Sequence, residues 1–200
     1  MNYLAHLVLS GKDSEVMTGN FMGDFLTRRQ IELLPINFVH GYNLHIFIDK
    51  YTDADRGVDK VIDLFRHHHG KYASVISDVI FDYFLVINWD KFYDFQLKDF
   101  EELAYNNLQQ NLDFLPNATV AYLQRLISGK FIDSYKSLKG LEYVFERMDK
   151  RTTNKTNFPL AIKTIEKEHH LINKLFIEFY TILKIESENF LLNLQNGKKV

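Results

Sequence analysis

The chain has 200 residues, of which 46% are apolar, and its formal net charge is −2. These values exclude a disordered chain and indicate no general attraction to nucleic acid or to an anionic membrane. Cysteine is absent, which excludes disulfides, thiolate zinc sites and a cysteine nucleophile. No stretch approaches the roughly 18 apolar residues that cross a bilayer, and the first residues do not resemble a signal peptide, so we expect a cytoplasmic protein.

Apolar residues recur at steps of three and four along most of the sequence, a pattern that predicts α-helices. The first predicted helix covers residues 2–9. The second runs from a cap at Asp13 and Ser14 to about Arg29, and the third runs from Pro35 to near Gly57. Further helices are predicted over residues 71–90, 98–112, 116–128, 131–149 and 159–194, with a frayed tail over about 195–200. No repeat or linker divides the sequence, so residues 1–200 are predicted to form a single all-α domain, a helical bundle.

Two of the predicted helices carry polar residues at steps of four inside apolar sequence. The first contains His45, Asp49 and Asp53, and the second contains Asp78 and Asp82. This spacing places each set on one face of its helix, where carboxylates beside Ile, Phe and Leu are costly to bury unpaired. A shared divalent cation would remove that cost, so the pattern indicates a metal site.

Candidate ligands and acids for this site come from several predicted helices: His6, Asp24, His45, Asp49, Asp53, Asp78 and Asp82. Mixed imidazole and carboxylate ligands suit Mn, Fe, Mg or Zn, and such an ion can activate water against a phosphoryl group. Taken singly, each residue also fits a structural role. His6 could be a buried core histidine, Asp24 could pair with Arg28, and His45 with Asp49 could form a neutral hydrogen-bonded pair.

Residues 147–174 carry a local excess of positive charge. Seven basic residues stand against three acids, namely Arg147, Lys150, Arg151, Lys155, Lys163, Lys167 and Lys174 against Asp149, Glu166 and Glu168. This segment could meet an acidic partner, although a basic stretch of this density is also typical of a solvated surface.

Several motifs in register resemble those of a known family. They are MNYLAHLVLS at the start, GNFMGDF at 19–25, GYNLHIFIDKYTD at 41–53, SDVIFDYFL at 77–85 and Asn88-Trp89. In order and spacing they are similar to the acyl carrier protein phosphodiesterase family, and the segment from Met148 to Arg151 resembles that family's Met-x-x-Arg. The family in turn resembles divergent HD-type metal phosphohydrolases, which implies an all-helical fold like that of the HD domain.

The resemblance implies a metal-dependent phosphodiesterase. Its substrate would be holo acyl carrier protein, and its reaction would hydrolyse the phosphodiester that joins 4′-phosphopantetheine to the carrier serine. Manganese is the favoured ion, with Mg²⁺ or Fe²⁺ as the other options. The positions that match the family's motifs are His6, Asn20, Asp24, His45, Asp49, Thr52, Asp53, Asp78 and Asp82.

The hypothesis that follows assigns the metal ligands. His45, Asp49 and Asp82 would hold one divalent ion, and His6 or Asp24 would complete its ligand set. The sequence departs from the family here, because it has no adjacent His-Asp pair. In addition, the family's Asp-His-Phe-Leu segment is replaced by DYFL at 82–85.

The same hypothesis assigns the other catalytic roles. Asp78 or Asp53 would accept the proton of the attacking water, and Arg28 or Arg151 would stabilise the charged phosphoryl oxygens. An acidic carrier protein would dock on basic surface around residues 147–174.

Two other functions fit the same residues. One is a metal phosphohydrolase that acts on nucleotides or another small phosphoester. The other is a catalytically inactive helical module that binds a carrier protein, and the Tyr83 that replaces the family's His is its main support. The oligomeric state is left open, since buried and interfacial apolar faces look alike in a sequence.

Overall fold

The computed structural model describes residues 1–152 and 156–197. Within these ranges every regular element is a helix and no β-strand occurs, which confirms the all-α prediction. The first helices are α1 (Tyr3–Leu9), α2 (Ser14–Phe21), α3 (Arg28–Ile31), α4 (Ile36–Ala54), α5 (Arg56–His69) and α6 (Ala73–Ile87). They are followed by α7 (Trp89–Phe92), α8 (Leu97–Gln110), α9 (Asn117–Ser128), α10 (Leu138–Asp149) and α11 (Ala161–Gln195).

Several predicted helices match the structure closely. Those predicted over 71–90, 98–112, 116–128 and 159–194 have ends within three residues of α6, α8, α9 and α11. Of the predicted frayed tail, residues 198–200 lie outside the described residues. In the described ranges, none of these helices combines the length and apolar character that a membrane-crossing segment needs.

The helix predicted from Ser14 to Arg29 is wrong, because α2 ends at Phe21. Thr27 starts α3 with a capping box, in which its hydroxyl accepts the Gln30 N–H and the Gln30 side chain accepts the Thr27 N–H. The Thr-x-x-Gln pattern is a sequence signal for this second start. A turn containing Gly23 and Asp24 therefore separates two helices.

The helix predicted from Pro35 to near Gly57 ends earlier, at Ala54, and a further helix that the sequence did not predict, α5, begins at Arg56 and runs to His69. Asp55 Oδ1 accepts the N–H groups of Gly57 at 2.7 Å and Val58 at 2.9 Å, which caps the start of α5. Gly57 therefore lies in the first turn of α5 and not at the end of α4.

The helix predicted over 131–149 is interrupted in the same way. Its first part is a 3₁₀ turn over Phe131–Tyr135, and α10 begins after Ser137, whose hydroxyl accepts the Gly140 N–H at 3.1 Å. The cap at Ser137 outweighs the apolar periodicity that continues through this region.

Two glycines allow α2 and α4 to cross with their backbones in contact. A Cβ on Gly41 would lie 2.1 Å from the carbonyl oxygen of Val16, and a Cβ on Gly19 would lie 2.2 Å from that of Phe38. Only residues without a side chain permit this approach. The crossing lies one helical turn before His45, so it sets how close His45 comes to α1 and α2.

The core between α6 and α11 is aromatic, as the composition predicts. The rings of Phe81 and Phe84 lie 5.3 Å and 6.2 Å from the ring of Phe176. Tyr180 is fully buried, and its hydroxyl lies 2.8 Å from the hydroxyl of Tyr93. These contacts pack α6 and the residue after α7 against α11.

We predict that Gly41→Ala lowers the free energy of unfolding by about 1–3 kcal/mol, because the new methyl group forces the two backbones apart. Urea unfolding measures the change, and the exposed Lys50→Ala on the same helix serves as the control. A more stable Gly41→Ala protein would contradict the close crossing.

Candidate metal centre

Three of the predicted site residues come together between α1 and α4: His6, His45 and Asp49. One ligand atom from each lies within 4.8 Å of the others. Asp49 Oδ1 lies 3.2 Å from His6 Nε2, and Asp49 Oδ2 lies 3.1 Å from His45 Nε2. The two imidazole rings stack with their centroids 4.4 Å apart. We call these three residues the metal cluster.

Asp24 reaches the metal cluster from the turn after α2. Its Oδ1 lies 3.3 Å from His45 Nε2, and its side chain is largely exposed to solvent. Gly23 makes this possible, because a Cβ there would lie 2.3 Å from the His45 ring. Gly23 was not predicted as a site residue, although a glycine directly before Asp24 was a usable signal.

Asn20 fixes the orientation of His6. Its Oδ1 accepts the Nδ1–H of His6 at 2.8 Å, while its Nδ2 donates to the His6 carbonyl oxygen at 2.8 Å and to Ser10 Oγ at 2.9 Å. The two donated bonds identify Oδ1 as the acceptor, so the proton of neutral His6 is on Nδ1. His6 Nε2 therefore keeps its lone pair and faces Asp49, which is the tautomer that a metal ligand needs.

A divalent cation fits this arrangement. Within the described part of the chain, the buried His6 Nε2 has no hydrogen-bond partner in acceptable geometry, although Asp49 lies close to it. A buried lone pair beside carboxylates is an environment that a cation satisfies. Two imidazoles with one or two carboxylates suit Mn²⁺, Fe²⁺, Mg²⁺ or Zn²⁺, and three protein ligands leave coordination positions for water or substrate.

The protonation states in the metal cluster follow from burial and from the neighbouring charges. Burial lowers the pKa of His45, but Asp24 and Asp49 outweigh this effect and raise it to about 9. Burial acts to raise the pKa of Asp49, but the two imidazoles hold it well below its usual range. Burial lowers the pKa of His6. Without a metal, His45 therefore carries the one positive charge of the metal cluster at neutral pH.

Asp78 lies beside the metal cluster on α6. The amino group of Met1 lies 3.1 Å from Asp78 Oδ1 and 3.6 Å from Asp49 Oδ1. Burial raises the pKa of Asp78, and the Met1 amino group opposes part of this rise. A carboxylate with a raised pKa close to the metal cluster is suited to accept a proton.

Asp82 is predicted as a ligand, but the structure does not bring it into the metal cluster. It is fully buried, and its two oxygens accept the N–H groups of Leu4 at 2.9 Å and Ala5 at 3.1 Å. These amides belong to the first turn of α1, where a helix leaves its N–H groups without intrahelical partners. Burial raises the pKa of Asp82 to about 7. We therefore assign Asp82 to anchoring α1 and leave it out of the ligand set.

Three further predicted residues lie outside the metal cluster. Asp53 is exposed in the last turn of α4, and Arg28 is exposed with its Nε donating to Glu32 at 2.8 Å. Arg151 lines a cavity of about 510 Å³. In the predicted docking segment 147–174, Lys155 lies outside the described residues.

Thr52 and Tyr83 lie in the family motifs, and the hydroxyl of each contacts a group outside the metal cluster. Thr52 is buried and its hydroxyl donates to the Ile48 carbonyl oxygen within α4. The Tyr83 hydroxyl lies 3.4 Å from Nε2 of His169 on α11. The Tyr83 side chain is therefore directed to α11 and is not part of the metal cluster.

We predict that Asn20→Ala weakens Mn²⁺ binding by about 10- to 100-fold, because His6 then loses the acceptor that fixes its tautomer. Calorimetric titration of metal-stripped protein measures the affinity, with the exposed Asn189→Ala as the control. Unchanged affinity in Asn20→Ala would rule out this role.

We predict that the metal-free protein loses stability as the pH rises from 6.5 to 9. A histidine whose pKa is raised on folding stabilises the protein fully below its unfolded pKa of 6.5, and this contribution disappears through its folded pKa of about 9. The loss is up to about 3 kcal/mol. Chelator-treated protein is unfolded in urea across this range, and His45→Gln should show a smaller slope. Equal slopes would contradict the ion pairing of His45.

Comparison with known proteins identifies the family of this chain. The family model described as acyl carrier protein phosphodiesterase matches residues 1–183. The protein of that name from Photorhabdus laumondii is 26% identical over 190 residues, covering 94% of this chain and 96% of the relative. The one from Salmonella agona is 27% identical over 181 residues, covering 90% and 94%. No solved structure matches, so the likeness to the HD domain stays a prediction. The match to the family model shows that the chain belongs to the acyl carrier protein phosphodiesterase family.

Proposed function

We propose that this chain is a metal-dependent phosphodiesterase that acts on holo acyl carrier protein. It would hydrolyse the bond between phosphorus and the carrier serine oxygen, which yields apo carrier protein and 4′-phosphopantetheine. The observation that carries the proposal is the cluster of His6, His45 and Asp49 in a chain of this family. Asp24, at the solvent side of His45, lies where a substrate could approach.

His6, His45 and Asp49 would hold the divalent ion, with Asp24 as the candidate fourth ligand. We propose Mn²⁺, with Mg²⁺ and Fe²⁺ as ions of compatible ligand preference. Such an ion, when bound, lowers the pKa of water and neutralises part of the negative charge on the phosphoryl oxygens.

Side chains of this protein would accept the proton of the attacking water and stabilise the negative charge on the phosphoryl oxygens. Asp78 would accept a proton from the water whose oxygen bonds to phosphorus, while the serine oxygen leaves and takes up a proton from solvent. Asp78 is favoured over Asp53 because it lies beside the metal cluster and its pKa is raised by burial. Arg151 is favoured over Arg28 for contact with the phosphoryl oxygens, because Arg28 is already paired with Glu32.

Docking of the carrier protein is proposed on the basic segment 147–174. Arg147 and Arg151 are exposed at the end of α10 and after it, and both line the cavity of about 510 Å³. An acidic partner that docks here would place its prosthetic group near α1 and α6.

The first experiment incubates metal-stripped protein with holo acyl carrier protein, with and without Mn²⁺, and follows the mass of the carrier. Metal-dependent loss of the phosphopantetheine mass is expected. If the folded protein with Mn²⁺ or Mg²⁺ releases none, the proposed function is wrong. A panel of nucleotides and small phosphoesters then tests the alternative substrates.

We predict that Asp49→Asn lowers turnover at least about a hundredfold, because its carboxylate contacts both imidazoles of the metal cluster. Asp53→Asn, one turn further along α4, should stay within about twofold of the unsubstituted protein. Turnover of carrier protein measured by mass spectrometry gives both values. Full activity in Asp49→Asn would remove this residue from the site.

A further inference from the structure

A cavity of about 510 Å³ lies among the start of α1, α6, α9 and α10. Three arginines line it, Arg125 from α9, Arg147 from α10 and Arg151 just after α10. We call this cavity the arginine pocket. Its volume is within the range of pockets that bind cofactor-sized molecules.

The arginine pocket concentrates positive charge in a chain whose formal net charge is −2. None of the described residues that line it is acidic, and none of its arginines forms an ion pair with an aspartate or glutamate in the described ranges. Arg125 Nε donates to the Ala121 carbonyl oxygen, and the Arg147 guanidinium lies 5.7 Å from the centroid of the Tyr143 ring. Most of the N–H groups of these arginines are therefore available to oxygen atoms of a ligand.

The other walls of the arginine pocket are aromatic and aliphatic with a few hydroxyl groups. Val79 and Val144 line it, and the Tyr3 and Tyr122 hydroxyls lie 3.0 Å apart at its wall. Such walls suit a ligand with a carbon chain interrupted by amide and hydroxyl groups, and suit a compact inorganic anion less well.

The arginine pocket adjoins the metal cluster. Tyr3 lies one turn before His6 on α1, and the pocket residue Val79 directly follows Asp78 on α6. Burial raises the pKa of Tyr3, with the charge of Asp24 adding to the rise and the charge of Arg151 opposing it. The Tyr3 hydroxyl is therefore close enough to both Asp24 and Arg151 for their charges to act on it.

We propose that the arginine pocket binds the pantetheine arm of the substrate while the phosphodiester lies at the metal cluster. This inference rests on the proposed function. The guanidinium groups of Arg125 and Arg147 would donate to the amide and hydroxyl oxygens of the arm, and Arg151 would remain for the phosphoryl oxygens. The valines would pack against the carbon chain of the arm. Holding the arm in this way positions phosphorus beside Asp78 before the reaction begins.

The test uses Arg147→Gln and Val144→Trp, one removing a charge from the pocket and the other filling it. Arg66→Gln is the control, since Arg66 is exposed and paired with Asp63. Calorimetry on Mn²⁺-loaded protein measures the binding of free 4′-phosphopantetheine and of inorganic phosphate. Arg147→Gln should bind phosphopantetheine about tenfold more weakly, as expected for the loss of a charge-assisted hydrogen bond. Val144→Trp should weaken it by at least as much, because the indole occupies the space of the arm. Both variants should bind phosphate as the unsubstituted protein does.

Hydrolysis assays with two substrates test this inference separately from the proposed function. Both pocket variants should raise KM for holo acyl carrier protein about tenfold and leave hydrolysis of bis(4-nitrophenyl) phosphate, which lacks the arm, within twofold. Equal phosphopantetheine affinity in Arg147→Gln, Val144→Trp and the unsubstituted protein would overturn the inference, even if carrier protein is cleaved. If no carrier protein is cleaved but Arg147→Gln still weakens phosphopantetheine binding, the proposed function fails and the pocket assignment stands.

Discussion

The arrangement of the metal cluster depends on the contact between the backbones of α2 and α4. Gly19 and Gly41 remove the side chains that would otherwise keep these helices about a side chain further apart. Because His45 and Asp49 follow Gly41 by one and two helical turns, the crossing carries both of them towards α1 and the turn after α2. Gly23 acts in the same way, because the absence of a side chain there lets the turn after α2 pack directly against the His45 ring.

α1 is a short helix, and its position is set by contacts from other elements. Asp82 of α6 accepts the first free N–H groups of α1, and Asn20 of α2 binds both the ring and the carbonyl group of His6. Two buried polar side chains thus fix the helix that carries His6 and fix the tautomer of its ring. Such contacts are demanding, because a buried amide or carboxylate that loses its partner is costly. They hold the His6 ring in a single orientation.

Opposite charges are concentrated in two separate groups of residues. Asp24, Asp49 and Asp78 lie at or beside the metal cluster, and the arginine pocket on the neighbouring side is lined by arginines without acidic partners in the described ranges. A phosphodiester carries negative charge, so the acids alone would repel it. In the proposed function, a cation held by the metal cluster would join the arginines in providing the positive surroundings that such a substrate needs. The two features are therefore complementary parts of one proposed binding surface.

The sequence by itself determined the all-α class and the pairing of His45 with Asp49, because a step of four places side chains on one helix face whatever surrounds the helix. It also determined most helix boundaries, apart from the extent of α5 and the starts at which Thr27, Asp55 and Ser137 cap new helices. Only the tertiary structure decided which aspartate meets His6, since the same spacing applies to Asp49 and Asp82. Packing directed Asp49 to the imidazoles and Asp82 to the amides of α1. The arginine pocket also depends on tertiary structure, because Arg125 comes from α9 whereas Arg147 and Arg151, which are four residues apart, come from the end of α10 and just after it.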